Sequence, residues 1–297
     1  MECNFDEADL RKVQVKNARL EKASFRRADL REVSLKRGNL EDAHLESIVG
    51  SASQLEMARL VGANLHGSIL IWANLKKANL YRANLQQANL EHASLELAEL
   101  DEANLGDAKL FKANLLLAFA RNTNFSGADL RKANLKGANL QGAKFEGANL
   151  AGADLTEAKL EGANLSGANL KGAKLLGANL QGAKLDGANL QQAQLQGADL
   201  TSAALQAAHL QEADLTRCDL TEANFTLSDL RQSKLQQAII KDTKWTEANL
   251  EGAFWTNGKP CEVQSLGRCV QKESLLSLPL IIEPNALEIQ VDGLKRP

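Results

Sequence analysis

Aromatic side chains are scarce in this chain of 297 residues: eight Phe, three Trp and one Tyr make up 4% of it. With only two Met as well, apolar volume must come almost wholly from aliphatic residues and Ala. Four Pro is also few for the length. No apolar run approaches the roughly 20 residues of a membrane-spanning helix. Neither sign of charge dominates: 35 Lys and Arg stand against 37 Asp and Glu, a net charge of −2. That balance gives no global field to attract nucleic acid, and no nucleic-acid partner is expected. Met1 to Leu10 lack the basic-then-apolar pattern of a signal peptide. A cytoplasmic chain is therefore expected. Periplasm or thylakoid lumen is the alternative if a leader has been removed.

Leu, Ala, Asn and Gln are abundant instead, and they recur with a period of five. Taking every fifth residue from Phe5 to Trp255 as a centre gives 51 centres, of which 40 are Leu. The position two before the centre is Ala in 39 of 51 cases, and Asn or Asp usually lies between them. The phase never slips. A helix would carry a five-residue repeat around its whole surface, and a flat strand would alternate it between faces. A chain that turns a corner every five residues keeps both Leu and Ala inside, and four corners close a coil of twenty.

The aromatics test that layering. Phe5, Phe25, Phe125, Phe145 and Phe225 are all the Phe residues at centres, and together with Trp245 they share one face of a twenty-residue coil. They should stack in a core column. The second residue after each centre is Gly in 12 of the 15 slots from 127 to 197. This suits the third position of a type II turn and marks that block as the most regular.

The A-(N/D)-L-x-x pattern over 51 units resembles the pentapeptide-repeat family. The resemblance implies an all-β fold, a right-handed quadrilateral β-helix of about 13 coils, with residues 1–255 as the helix and 256–297 as a C-terminal cap or tail. It also implies a non-enzymatic role. Some members act as DNA mimics that bind type II topoisomerases, but a net charge of −2 lacks the acidic surface this needs. The stretch from Trp255 to Cys269 resembles a terminal segment of bacterial, especially cyanobacterial, members. Its Cys261 and Cys269 could form a disulfide in an oxidising compartment, or stay as free thiols in a reducing one. Cys3 and Cys218 fall in the Ala slot and read as small buried groups. The apolar run of Leu275, Leu276, Leu278, Leu280, Ile281 and Ile282 reads as a covering segment or a docking tail.

Irregular positions carry the functional reading. Gly50 and Ala120 replace central Leu, beside Ile48 and Thr123; compensated packing is expected, with a bend or bulge as the alternative. Ile71, Trp72, Leu97, Phe111, Leu116, Leu117 and Phe119 are apolar where the phase points outward, and form a candidate partner-binding or self-association patch. Residues 11–37 hold ten basic against three acidic residues, spread around the coils; solvated charge is expected, with an anionic partner at that end as the alternative. The first coil shows no cap, so another chain or its own charge must protect that edge.

No catalytic constellation is apparent. His44, His66, His92 and His209 fall on different corners and coils. No Ser-His-Asp set, H-E-x-x-H, phosphate loop or paired acid in a cleft is present. Carboxylates are expected to titrate normally. No cofactor or metal is expected, and the partner should be another protein.

Overall fold

The computed structural model describes residues 3–271. Through the repeat the chain returns on itself every twenty residues as a β-helix. Four parallel ladders of single-residue bridges run along it, starting Asn4–Ser24–His44, Asp9–Asp29–Val49, Gln14–Ser34–Gln54 and Arg19–Asn39–Arg59. The register holds from Asn4 to Phe254.

The unit around Leu40 shows why the pattern is Ala, then Asn or Asp, then Leu. Leu40 N–H donates to Arg59 C=O one coil on (2.7 Å), Asp42 N–H to Val61 C=O (2.9 Å), and His44 N–H back to Ala23 C=O (2.9 Å). Ala43 N–H donates to Leu40 C=O (3.1 Å), closing a four-residue turn. One amide is left over, that of Glu41, and Asn39 Oδ1 accepts it at 3.2 Å. Asn and Asp are thus selected to satisfy the one backbone donor the coil cannot. At Arg26, Arg121 and Gln206, where the slot holds Ser24, Phe119 or Ala204, an Asp of the preceding coil substitutes. Ala204 cannot cap Gln206, and Asp186 Oδ1 accepts that N–H at 2.9 Å.

The turn needs φ > 0 at its third residue. Every such slot from Glu7 to Gly252 has it, and the non-glycine occupants lie at 53–62°. The turns of the Gly-rich block are therefore no more regular than the rest. A left-handed non-glycine residue costs about 1–2 kcal/mol. Burying one Leu contributes about 1.5–3 kcal/mol, and the Ala and four backbone hydrogen bonds add to that, so the unit stays favourable with Lys or Glu in the slot.

Inside, the Leu and Ala columns are almost wholly buried. Phe5 stacks on Phe25 and Phe125 on Phe145, both with centroids 4.9 Å apart, and Phe225 stacks on Trp245 at 4.7 Å. At Gly50 the missing side chain is replaced by neighbours: a Cβ there would lie 3.0 Å from Leu70 Cδ2 and 3.5 Å from Ile48 Cδ1. At Ala120 the adjacent Thr123 is fully buried and its hydroxyl donates to Leu100 C=O at 2.7 Å. The ladders run through both places without a bulge.

The two ends differ. The first coil opens on an apolar recess of about 200 Å³ lined by Phe5, Leu10, Val13, Val15 and Leu20 among others. Cys3 is exposed here, contrary to the expectation that its inward slot would bury it, because no preceding coil covers it among the described residues. Cys218, in mid-array, is buried, and burial pushes its thiol up to about 12. At the other end the chain doubles back, with antiparallel bridges Phe254–Pro260 and Asn249–Leu266. Leu250, Gly252 and Trp255 N–H donate to Ser265, Cys261 and Lys259 C=O, each at 2.9 Å. A disulfide joins Cys261 to Cys269 across this segment. The apolar run from Leu275 to Ile282 lies outside the described residues.

Candidate functional site

Leu and Ala side chains fill the interior of the described repeat. The surface recesses are shallow, and among the described residues no group of three or more His, Cys, Asp or Glu is placed to hold a metal ion. No helix of the described residues is long and apolar enough to cross a membrane.

The seven outward apolar residues divide into three sets. Ile71, Trp72 and Phe111 lie on the corner that follows the Asp9 ladder. Leu97, Leu116 and Leu117 lie on the next corner, across the Gln14 ladder. Phe119 stands apart, within the Arg19 ladder. Trp72 is 62% exposed, Leu117 48% and Phe119 46%, while the other four are half-buried.

The first set is a continuous column because His92 completes it. The His92 ring stacks on Trp72 at 4.1 Å and meets the Phe111 ring edge-on at 5.8 Å. Lys112 Nζ lies 5.3 Å and Arg131 Cζ 5.5 Å from the Phe111 centroid. Reading His92 as an isolated histidine misses this role. The twenty-residue spacing from Trp72 is the signal that finds it. On the second corner, Leu97 and Leu117 occupy successive coils of one column. Gly137 continues that column, and a Cβ there would lie 2.8 Å from Leu117 Cδ2, so glycine leaves room for the leucine.

Phe119 takes a position normally held by Asn or Asp, so it cannot cap the Arg121 amide. Asp101 does so from the coil before, its Oδ1 accepting Arg121 N–H at 2.7 Å while its Oδ2 takes two guanidinium bonds at 2.9 and 2.6 Å. A shallow recess of about 410 Å³ lies here, between Tyr81, Glu99, Phe119 and Arg121.

Some carboxylates depart from ordinary titration, correcting the expectation. Asp9, Asp29, Asp129 and Asp229 share one ladder, and each receives a forked pair of hydrogen bonds from the Arg two residues on. The Arg11 guanidinium holds Asp9 down to about 2. Arg31 and Arg131 likewise hold Asp29 and Asp129 below the usual carboxylate range. At Asp229 burial pushes up, and the bonds from Arg231, its backbone amide and Gln211 outweigh it. Within the basic first coils, Arg11, Arg26, Arg27, Arg31 and Lys36 all meet a carboxylate. Half of that charge is thus neutralised locally.

These features define a solenoid with a filled interior and local apolar groupings on its outer surface. The chain belongs to the pentapeptide repeat family, matched in eight copies lying between residues 3 and 237, and its fold is a right-handed β-helix. It is similar to HetL, a pentapeptide repeat protein involved in heterocyst differentiation regulation from the cyanobacterium Nostoc sp. strain PCC 7120. The two are 33% identical over 87% of this chain and 94% of that one, with a TM-score of 0.26. Rfr23, from the cyanobacterium Cyanothece 51142, is 27% identical over 46% of this chain and 63% of its own, with a TM-score of 0.21. QnrB1, a plasmid-mediated fluoroquinolone resistance protein, is 21% identical over 66% and 90%, with a TM-score of 0.33. No curated protein matches the chain.

Proposed function

We propose that this chain is a non-enzymatic interaction protein whose protein partner docks on the outward apolar patch. The observation that carries this reading is the pair of outward-facing apolar columns, Trp72–His92–Phe111 and Leu97–Leu117, with Trp72 and Leu117 exposed and the rest half-buried, on adjacent corners of a rod whose other outward positions are mostly polar. Apolar surface so grouped favours an interaction site over scattered exposure. The rod itself is read as a four-sided tube of about 13 coils, roughly 60 Å long at strand spacing. Residues 1–255 form its body, and 256–297 its cap and tail. A tube filled by Leu and Ala offers a small substrate no internal pocket.

The Cys261–Cys269 bond favours a compartment that keeps disulfides, such as periplasm or thylakoid lumen, over cytoplasm. The patch reading is tested with the double variant Trp72→Ala, Leu117→Ser. It should lose species captured from the source organism by the parent protein, or shift oligomer size in gel filtration. Unchanged behaviour in both assays removes the reading.

A further inference from the structure

The strip between the two apolar columns has a chemistry of its own. Its outward residues over four coils are Asn74, Ser94, Asn114 and Asn134, all uncharged. The sixteen corner positions flanking them, from 71 to 137, hold six basic residues and two acidic ones, in a chain whose net charge is −2. Lys76 is paired with Glu96 and Arg131 with Asp129. Lys77, Lys112, Lys132 and Lys136 form no ion pair among the described residues, and the first three stand in left-handed turn slots.

The backbone decides how a partner can lie here. Asn74, Ser94, Asn114 and Asn134 N–H all donate along the rod, to Ser53, Ala73, Ala93 and Ala113 C=O at 2.8–3.0 Å. Their own carbonyls accept from the preceding coil. An added strand would find nothing to pair with, so recognition must come from side chains. Matching side chains repeat along the rod at the strand spacing of about 4.8 Å. A helix presents a face every 5.4 Å or so, whereas an extended strand repeats a face after roughly 6.7 Å. The helix is the closer match, and flexible Lys stems absorb the remainder.

We propose that this strip takes an acidic amphipathic helix of a partner protein, lying along the rod. Its apolar stripe rests on the Trp72–Phe111 and Leu97–Leu117 columns, and its carboxylates meet Lys77, Lys112, Lys132 and Lys136. This rests on the patch reading above and gives the partner its chemistry. Single-stranded nucleic acid fits less well. Trp72 and His92 already stack on each other at 4.1 Å, Phe111 is edge-on, and the leucine corner offers bases no stacking surface.

The test uses the full chain and three fluorescent probes: a three-heptad model helix with Leu at its core positions and Glu elsewhere, the same helix with Lys for Glu, and a dT oligonucleotide. At low salt the acidic helix should bind at least about tenfold more tightly than the basic one. The charge-reversal variant Lys77→Glu, Lys132→Glu should abolish or invert that preference. No binding by the acidic helix, equal binding of the two helices, or tighter binding of the oligonucleotide overturns the proposal. If both helices bind alike and Trp72→Ala, Leu117→Ser weakens both, the acidic partner is refuted while the patch reading stands. If that double variant changes neither helix's binding, the patch reading fails as well.

Discussion

Replacing Phe145 by Ala should cut the rod's stability at its middle. Phe145 is fully buried, and its ring lies 4.9 Å from that of Phe125 with planes 5° apart. Truncating a buried Phe costs about 3–5 kcal/mol, of which the lost stack is roughly 0.5–1.5 kcal/mol. Each coil touches only its neighbours, so the damage should stay local and weaken coupling between the two halves. The native tryptophans report on both sides: Trp72 lies before the lesion, and Trp245 and Trp255 after it. Urea unfolding followed through variants that keep Trp72 alone, or Trp245 and Trp255 alone, should give coincident transitions with Phe145 present. With Phe145→Ala the midpoints should fall and separate. The control Phe145→Leu should cost less than about 1.5 kcal/mol, because Leu fills the neighbouring columns. A loss below about 1 kcal/mol for Phe145→Ala, with transitions still coincident, would refute the reasoning.

Two further outcomes follow from the charges and the cap. Asp9, Asp29, Asp129 and Asp229 are held below the ordinary value of 3.8, so in acid the folded chain binds fewer protons than the unfolded one. The stability they contribute is complete above that value and is lost as pH falls through the folded values, about 2 for Asp9. Urea midpoints should therefore drop between pH 4 and pH 2, and less steeply in an Arg131→Gln, Arg231→Gln variant; equal slopes would speak against the pairs. Reducing the Cys261–Cys269 bond should loosen the cap by about 2–3 kcal/mol. It should speed tryptic cleavage after Arg268 while leaving the repeat's circular dichroism unchanged. Cleavage rates that ignore the reductant would show that the bond does not hold the cap.

Much of the fold was legible because one phase governs 51 units: once Leu40 points inward, the direction of every other side chain follows by counting. The same count places Trp72 and Leu117 outside and Phe125 over Phe145. What it does not carry is the behaviour of exposed side chains. His92 reads as a lone histidine until its ring is seen on Trp72, since an outward direction alone does not say which neighbour a flexible side chain meets. Asp9 reads as an ordinary surface acid until Arg11 folds back on it. The role of Asn39 in capping the Glu41 amide needs the full hydrogen-bond account of a coil. Counting also misleads at the ends. Cys3 has the phase of a buried residue, but burial needs a coil on both sides.

The layering itself is open to direct measurement. In a background with Cys3 and Cys218 replaced and the cap disulfide intact, pyrene attached at Asn134→Cys and Asp154→Cys places two labels on bridged neighbours one coil apart. Strong excimer emission is predicted for that pair. None is predicted for Asn134→Cys with Lys144→Cys, which sit half a coil apart on different ladders. Excimer from the second pair and not the first would contradict a twenty-residue return.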